Sequence, residues 1–311
     1  MNANTRLNIL SVVIVLVCGA IVVSAWPLIF QEPQSARVSA SVFCANLSPQ
    51  LSLTGRAAYA EDMTTGKVLY GKNADVQLPL ASLTKLMTVL TASDTLGSND
   101  IVVISEESLS PEGDSGLTQG ERWHVKDLID FTLLTSSNDG AHALAVATQA
   151  KTKGTPEVFI QRMNEKAFSL GMVQTYFADD TGLDISENTA GAYGSARDIG
   201  KLFSYVARTH PNLIEATTAP SGTFLSLDNI AHKGKNTSSV ITALSGAIGS
   251  KTGFTDIAGG NLAVIFEPLP GRAVVAVILG STRDGRDTDM VTLANALKIS
   301  LKRDILCTSD I

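Results

Sequence analysis

The sequence predicts a mixed α/β (α+β) fold, in which an antiparallel sheet is built from both ends of the chain and a helical block is inserted between its strands. Residues 57–70 have the pattern of a hairpin, with two apolar runs on either side of a turn-rich segment at 62–66. Two β-rich runs at 261–266 and 273–279 are separated by two prolines and a glycine, which indicates a second hairpin. The stretch from the first hairpin to about residue 220 is mostly helical in its apolar spacing.

The inserted block is predicted to begin with a helix that starts close to Ser82. Pro79 precedes this helix, and apolar side chains follow at helical spacing at Leu83, Leu86 and Leu90. Further helices are predicted at 125–134, 141–150, 156–170, 199–206 and 290–305.

Composition is that of a globular protein and excludes some classes of function. The 311 residues allow one large domain or two small ones, with 44% hydrophobic and 17% charged residues. The net charge is -6, and there is no basic stripe or arginine-rich helix, so nucleic acid is not an expected partner. The four histidines, at 124, 142, 210 and 232, lack metal-ligand spacing. No metal or cofactor is therefore expected.

The first 30 residues predict either a membrane anchor or a signal peptide. No charged residue occurs between 7 and 30, and Arg6 stands just before this run. The run is long enough to span a bilayer as a helix, and its positive flank favours a cytoplasmic N-terminus. Small residues at 23–25 and 38–40 leave cleavage open. Both alternatives place the rest of the chain outside the cytoplasm.

Residues 31–50 are predicted to be a polar stalk, and residues 51–311 a single catalytic domain. Cys44 and Cys307 flank this domain and would face an oxidising compartment. They either form a disulfide or remain separate thiols.

The first of three ordered motifs is Ser-x-x-Lys, from Ser82 to Lys85, at the predicted helix start. Side chains at positions i and i+3 lie on the same helix face, so the Ser82 hydroxyl and the Lys85 amine can meet. A lysine accepts a serine proton only if its pKa falls well below about 10.4, which burial and a second cation such as Lys251 would bring about. The motif predicts Ser82 as nucleophile and Lys85 as proton acceptor. An ordinary helix cap followed by a solvated lysine is the alternative.

The second motif is Ser136-Ser137-Asn138. A second Ser-x-Asn match at 186–188 lies in a polar stretch, whereas Ser136 follows an apolar run and precedes another helix. We expect Ser136 to relay a proton between the two lysines and a leaving amine, and Asn138 to hold a substrate amide carbonyl. A polar turn between helices is the alternative.

The third motif, Lys251-Thr252-Gly253, precedes the final β-rich runs. It fits an edge strand, whose backbone can pair with an extended peptide substrate. Gly253 would allow close approach of that substrate. Lys251 and Thr252 would supply a charge and a hydroxyl for a carboxylate, and an ordinary Lys-Thr-Gly turn is the alternative.

With these motifs in this order, roughly residues 50 to 300 resemble low-molecular-mass penicillin-binding proteins of the D-alanyl-D-alanine carboxypeptidase family. Beyond the motifs, the resemblance rests on segments 61–70, 79–88, 181–184, 195–198 and 285–287. It implies a β-lactamase/transpeptidase-like sheet flanked by helices, with a helical subdomain. It also implies removal of the terminal D-Ala from peptidoglycan stem peptides through an acyl-enzyme, sensitivity to β-lactams, and a place on the extracytoplasmic face of a bacterial membrane.

The resemblance further implies how substrate is held. The oxyanion hole would be formed by the backbone amides of Ser82 and Phe254. Arg286, in Gly-Arg-Asp at 285–287, would bind the terminal carboxylate of the substrate, because a guanidinium suits bidentate carboxylate binding. Arg283 is close enough in sequence to be its rival.

Departures from the family pattern leave alternatives open. Ser137 replaces the usual glycine, Asp180-Thr181 replaces the usual Asn-Pro, and the chain ends soon after its closing helix. This short layout also suits members that cut cross-links, so a DD-endopeptidase is an alternative. A β-lactamase is disfavoured because Glu165 lacks the expected following residues. A penicillin sensor is disfavoured because neither the nucleophile nor its lysine is missing.

Overall fold

The computed structural model describes residues 51–308, with side chains as far as residue 304. The predicted anchor or signal peptide at 1–30, the predicted stalk at 31–50, and the side chains of Cys44 and Cys307 lie outside the described residues. Between residues 51 and 308, no helix has the length and apolar character that a membrane span requires.

The strands of the described region range from two to eleven residues. In chain order they are β1 (Ala57–Asp62), β2 (Val68–Lys72), β3 (Leu78–Pro79), β4 (Ile101–Val103), β5 (Arg122–His124), β6 (Tyr176–Phe177), β7 (Asp184–Ser186), β8 (Thr189–Ala190), β9 (Ala192–Gly194), β10 (Ser221–Leu225), β11 (Ala231–Lys235), β12 (Ala247–Thr255), β13 (Gly259–Leu269) and β14 (Arg272–Ser281). Five of them form an antiparallel central sheet in the order β12-β13-β14-β1-β2. Strands from both ends of the described region are therefore neighbours, and β12 lies at an edge.

The α-helices between β3 and β10 form the inserted block, and one more closes the fold. They are α1 (Thr84–Ser93), α2 (Val125–Thr135), α3 (Asn138–Thr152), α4 (Pro156–Ser169), α5 (Ala196–Thr209) and α6 (Gly285–Thr308).

Side chains of the central strands alternate between two hydrophobic clusters, one on each face of the sheet. Tyr59 and Val277 belong to the cluster that includes the inserted block. Ala58 and Ile278 belong to the other cluster, which α6 covers with side chains such as Leu297. Because both faces are buried, β14 is apolar almost throughout, and this made it recognisable in the sequence.

The predicted fold class and the main elements are confirmed. Both hairpins are present, and helices occupy each of the predicted helical segments. The closing helix begins at Gly285 rather than at residue 290, which places Arg286 in its first turn. The short ribbons β4–β5 and β10–β11 were not predicted. In β11 the buried positions are His232 and Gly234, so no apolar alternation marks the strand.

Asp62 fixes the hairpin that begins the sheet. This fully buried carboxylate accepts hydrogen bonds from the backbone amides of Thr64 at 2.8 Å and Thr65 at 3.1 Å, and from Nε of Arg272 on β14 at 2.8 Å. Burial by itself would raise the pKa of Asp62, but the hydrogen bonds from Arg272 and the two amides outweigh it and lower the pKa. The ionised carboxylate therefore stabilises the hairpin.

We expect Asp62→Asn to lower the free energy of unfolding by about 1.5 to 3 kcal/mol at pH 7, because hydrogen bonds to a charged group are lost. A lowered pKa means that this stabilisation is complete above the unfolded carboxyl value near 4 and declines as the pH falls below it. Urea unfolding at pH 7 and at pH 3 measures both effects. The exposed pair Arg122–Asp228 is the control, and Asp228→Asn should cost less than about 1 kcal/mol. Equal losses in the two variants would contradict the role of Asp62.

Candidate active site

Ser82 lies in a 3₁₀ turn, Ala81–Leu83, that leads directly into α1. Ala81 adopts a left-handed backbone conformation with φ 48°, which costs a residue other than glycine about 1 kcal/mol. The Thr84 hydroxyl donates a hydrogen bond of 2.7 Å to the Ala81 carbonyl. The turn is thus tied to the first turn of α1, which carries Lys85.

Lys85 connects Ser82 to a loop of the inserted block. Its Nζ donates to the Ser82 hydroxyl at 2.8 Å and to the Thr181 carbonyl at 2.7 Å. The side chain is fully buried. Burial lowers the pKa of Lys85 to about 7, although Asp179 and Asp180 act in the opposite direction. At neutral pH a large fraction of this lysine is therefore a neutral amine that can accept a proton from Ser82.

The Thr181 carbonyl is held in place by its own loop. Asp179 Oδ1 accepts from the amide of Thr181 at 2.7 Å, from the amide of Gly182 at 2.6 Å, and from the Thr181 hydroxyl. Gly182 has φ +79°, and a Cβ at this position would lie 2.1 Å from the Ala81 carbonyl oxygen. Only glycine permits the loop to approach the Ser82 turn this closely.

Ser136 forms a second serine–lysine pair with Lys251. It joins α2 to α3 in a left-handed conformation, and its hydroxyl accepts from Lys251 Nζ at 2.8 Å. The same Nζ donates to the Thr252 carbonyl at 2.8 Å. Burial lowers the pKa of Lys251 well below its usual range, and the charges of Lys85 and Arg286 lower it further. Within residues 51–308, no hydrogen bond joins Ser136 directly to Lys85.

The rest of the second motif positions Asn138. Ser137 caps α3 by accepting from the amide of Gly140 at 2.9 Å, and its hydroxyl lies 2.6 Å from that of Ser115. Asn138 Nδ2 donates to the Glu112 carbonyl at 2.6 Å. The serine that replaces the usual glycine thus has a structural function, as a helix cap.

Arg286 and Thr252 meet beside β12. Arg286 is 8% exposed and donates to the Gly253 carbonyl at 2.9 Å and to the Thr237 carbonyl at 3.4 Å. The hydroxyls of Thr237 and Thr252 are 2.6 Å apart. Two hydroxyls and a guanidinium group are chemically suited to bind a carboxylate. Arg283 has a different partner, because its guanidinium lies 4.0 Å from the centre of the Phe254 ring.

Gly253 packs against the turn that carries Ser82. A Cβ at Gly253 would lie 2.8 Å from the Leu80 carbonyl oxygen and 3.1 Å from the Ser82 amide nitrogen. The glycine therefore makes room for the turn that carries the nucleophile. Close approach of a substrate to Gly253 remains a prediction.

The structure brings the three motifs together and adds residues that were not predicted. The Ser-x-Asn match at 186–188 is exposed and lies partly on β7, away from these contacts. Thr237 and Asp179 were missed. Neither carries a local signal, because Thr237 lies in a polar segment after a strand, and Asp179 acts through the turn that it stabilises.

An antiparallel sheet with an inserted helical block and two adjacent serine–lysine pairs defines the class of penicillin-binding serine peptidases. Comparison with known proteins agrees. Residues 45–282 match the family model for D-alanyl-D-alanine carboxypeptidase. This chain therefore belongs to the D-alanyl-D-alanine carboxypeptidase family.

Some individual relatives are named carboxypeptidases and others are named endopeptidases. The chain is 32% identical to D-alanyl-D-alanine carboxypeptidase DacB2 of Mycobacterium tuberculosis over 228 residues, 73% of this chain and 75% of the relative. It is 33% identical to a D-alanyl-D-alanine endopeptidase of Pseudomonas aeruginosa over 220 residues, 69% of this chain and 68% of the relative.

Solved structures show the same fold. The Streptomyces K15 DD-transpeptidase superposes with a TM-score of 0.70 at 25% identity, covering 80% of this chain and 98% of that one. Penicillin-Binding Protein D2 of Listeria monocytogenes, in its ampicillin-bound form, superposes with a TM-score of 0.68 at 30% identity, covering 80% and 99%.

We expect Gly182→Ala to slow covalent labelling by a fluorescent penicillin on the order of 100-fold, because its Cβ forces the Thr181 carbonyl away from Lys85. Gly171→Ala is a matched control. Gly171 also has a positive φ, of +68°, but a Cβ there has nothing within 4 Å. Both variants place an alanine at a positive φ and bear the same backbone cost. The melting temperature should therefore fall in both, and at least as far in Gly182→Ala as in Gly171→Ala. Similar labelling rates in the two variants would contradict the proposed importance of this close approach.

Proposed function

We propose that this protein is a serine-type D-Ala-D-Ala carboxypeptidase, which removes the terminal D-Ala from peptidoglycan stem peptides through an ester on Ser82. The observation that carries the proposal is the 2.8 Å hydrogen bond between Ser82 and the buried Lys85. A lysine whose pKa is about 7 is suited to act as a base at neutral pH. Family membership supports the same substrate class.

In the proposed acylation step, Ser82 Oγ attacks the carbonyl carbon between the two D-alanines while its proton passes to Lys85. The oxyanion is held by the backbone amides of Ser82 and Phe254. When the tetrahedral intermediate collapses, the bond to the leaving nitrogen breaks. Ser136 gives this amine a proton and receives one in turn from its hydrogen-bond partner Lys251. The proton taken from Ser82 stays on Lys85.

In deacylation, water attacks the same carbonyl carbon, and the ester bond to Ser82 breaks. The proton held on Lys85 returns to Ser82, and a proton of the attacking water passes through Ser136 to Lys251. The shortened stem peptide leaves with a new carboxyl group. β-Lactams resemble the acyl-D-Ala-D-Ala unit and form an ester at Ser82 in the same way. Glu165, the one glutamate considered for a β-lactamase mechanism, lies exposed on α4 and bonds to Gln161 at 2.7 Å. Its position favours a long-lived penicillin ester.

Substrate is proposed to bind along the outer edge of β12 by strand addition. The leaving D-Ala carboxylate lies against Thr252 and Arg286, with the Thr237 hydroxyl as a further donor. Asn138 holds a peptide carbonyl on the other side of the scissile bond. In the described residues, Nη1 and Nη2 of Arg286 each donate one hydrogen to a backbone carbonyl, and Nε lies 3.6 Å from Oδ1 of Asp287. Each Nη carries a second hydrogen that a carboxylate could accept.

The proposed setting is the extracytoplasmic face of a bacterial membrane. Residues 1–30 serve as the anchor or as a cleaved signal peptide, residues 31–50 form the stalk, and residues 51–311 are the catalytic domain. Cleavage of cross-linked peptides is the second candidate activity, because relatives named endopeptidases match this chain as well as relatives named carboxypeptidases do.

We expect Ser82→Ala to abolish covalent penicillin labelling without loss of fold, because the hydroxyl that forms the ester is gone. The full-length protein and the variant are compared by labelling and by melting temperature, and then incubated with purified muropeptides. Mass spectrometry of the wild-type reaction should show loss of one D-Ala from monomeric pentapeptides. Conversion of cross-linked dimers to monomers would assign endopeptidase activity instead. Undiminished labelling of Ser82→Ala would refute the nucleophile assignment.

Arg286→Ala should raise KM for a D-Ala-D-Ala peptide on the order of 10- to 100-fold, because a charged hydrogen-bond partner of the carboxylate is lost. Arg283→Ala, which removes a guanidinium stacked on Phe254, is the control and should change KM much less. Steady-state kinetics on a short acyl-D-Ala-D-Ala peptide measures both. A larger effect of Arg283→Ala would mean that the carboxylate binds to that arginine.

A further inference from the structure

A histidine and an aspartate meet directly beside the Lys85 site. His142 lies one turn after Asn138 on α3, and its Nδ1 is 2.8 Å from Oδ2 of Asp180. The two side chains are only 19% and 8% exposed. Asp180 immediately precedes Thr181, whose carbonyl accepts the hydrogen bond from Lys85. The pair and the carbonyl that Lys85 contacts thus belong to adjacent residues of one loop.

The backbone of Asp180 also contacts α1. Its carbonyl accepts a hydrogen bond of 2.5 Å from the Thr88 hydroxyl. The pair thus joins α1, α3 and the loop that holds Thr181. Because Asp180 is anchored through both its backbone and its side chain, the distance from its carboxylate to Lys85 is fixed.

The charged groups that face His142 are acidic. His142 is faced by Asp180 and Asp179 from the loop and by Glu107 from the 3₁₀ turn Glu107–Leu109. Burial alone would lower the pKa of His142, but these three carboxylates outweigh it and raise the pKa. The raised pKa favours the cationic form of His142.

Two of these carboxylates also affect the pKa of Lys85. Asp179 and Asp180 favour its charged form, and Lys251, backed by Arg286, faces the site with like charge. The second oxygen of Asp180, Oδ1, is buried without a hydrogen-bond partner in the described residues. His142 contacts the other carboxylate oxygen, Oδ2, and is therefore placed to offset the charge of Asp180.

We propose that His142 and Asp180 form a positioning pair that holds the Thr181 loop and sets the charge on Lys85, and so sets the pH range in which Ser82 becomes acylated. The inference rests on the proposed function, in which Lys85 accepts the Ser82 proton. A cationic His142 cancels the field of Asp180 and allows Lys85 to lose its proton. A neutral or absent imidazole leaves Asp180 free to hold Lys85 in its charged form.

Two single variants should shift the pH dependence in opposite directions. Acylation requires neutral Lys85, so its rate rises with pH as the lysine loses its proton, with a midpoint near 7 in the wild type. His142→Gln removes the balancing cation and should move this midpoint up by about 0.5 to 1 pH unit. Asp180→Asn removes the anion and should move it down by a similar amount. In the double variant, loss of His142 should change the midpoint little beyond the effect of Asp180→Asn, because the anion that His142 balances is already gone.

The measurement is the rate at which a fluorescent penicillin labels Ser82 in the full-length protein between pH 5.5 and 9.5. His142→Lys keeps a cation and should restore a midpoint at or below that of the wild type, which a merely structural role of the imidazole would not do. His210→Gln and Asp228→Asn are matched controls. His210 contacts Thr209, and Asp228 pairs with Arg122, so neither should move the midpoint.

Melting temperatures show whether a variant changes the labelling rate through loss of folding or through loss of charge. If Asp180→Asn is unstable, the comparison of His142→Gln with His142→Lys still tests the proposal. Both variants lack the imidazole, and only one of them keeps a cation. Shifts in the same direction in His142→Gln and Asp180→Asn, or unshifted midpoints in a labelled enzyme, would overturn the role of the pair alone. Absence of any label on Ser82 in the wild type would overturn the proposed function, and the role of the pair with it.

Discussion

The site depends on burying two lysine side chains, Lys85 and Lys251, close to one another. Neighbouring buried cations are costly, because each lacks solvent and repels the other. All four hydrogen bonds that their amines donate go to neutral oxygens, two hydroxyls and two backbone carbonyls. Among the side chains of residues 51–304, none forms an ion pair with either lysine, so the structure favours loss of a proton. The same constraint lowers the pKa of both amines.

Close backbone approach brings these groups together. Two glycines from different parts of the chain, Gly182 and Gly253, pack against the turn that carries Ser82. One belongs to the loop that offers Thr181 to Lys85, and the other to the edge strand that carries Lys251. Side chains at either position would separate the two lysines from the nucleophile. The geometry of the site is therefore set by backbone packing as much as by the polar groups.

Much of this was predictable where a local pattern carried the information. Apolar runs identified β13 and β14, and helical spacing identified α2 and α4. The motif order singled out the residues of both serine–lysine pairs, although the sequence placed Ser136 between the two lysines. Thr237, Asp179 and the His142–Asp180 pair were not predictable, because their contacts join segments far apart in the chain. His142 was considered only as a metal ligand in the sequence and rejected as one. Its neighbour Asp180 was seen only as a departure from a family pattern.

The order of strands in the central sheet has a consequence for how the molecule forms. β1 pairs with β14 on one side and β2 on the other, although β14 is more than 200 positions later in the sequence. During synthesis the first hairpin is complete long before its permanent neighbour exists, and it must wait with an unpaired edge. Pairing across such long separations slows folding and exposes intermediates to aggregation. The edge strand that carries Lys251 is attached to the same late hairpin, so catalytic competence is acquired only at the end of folding.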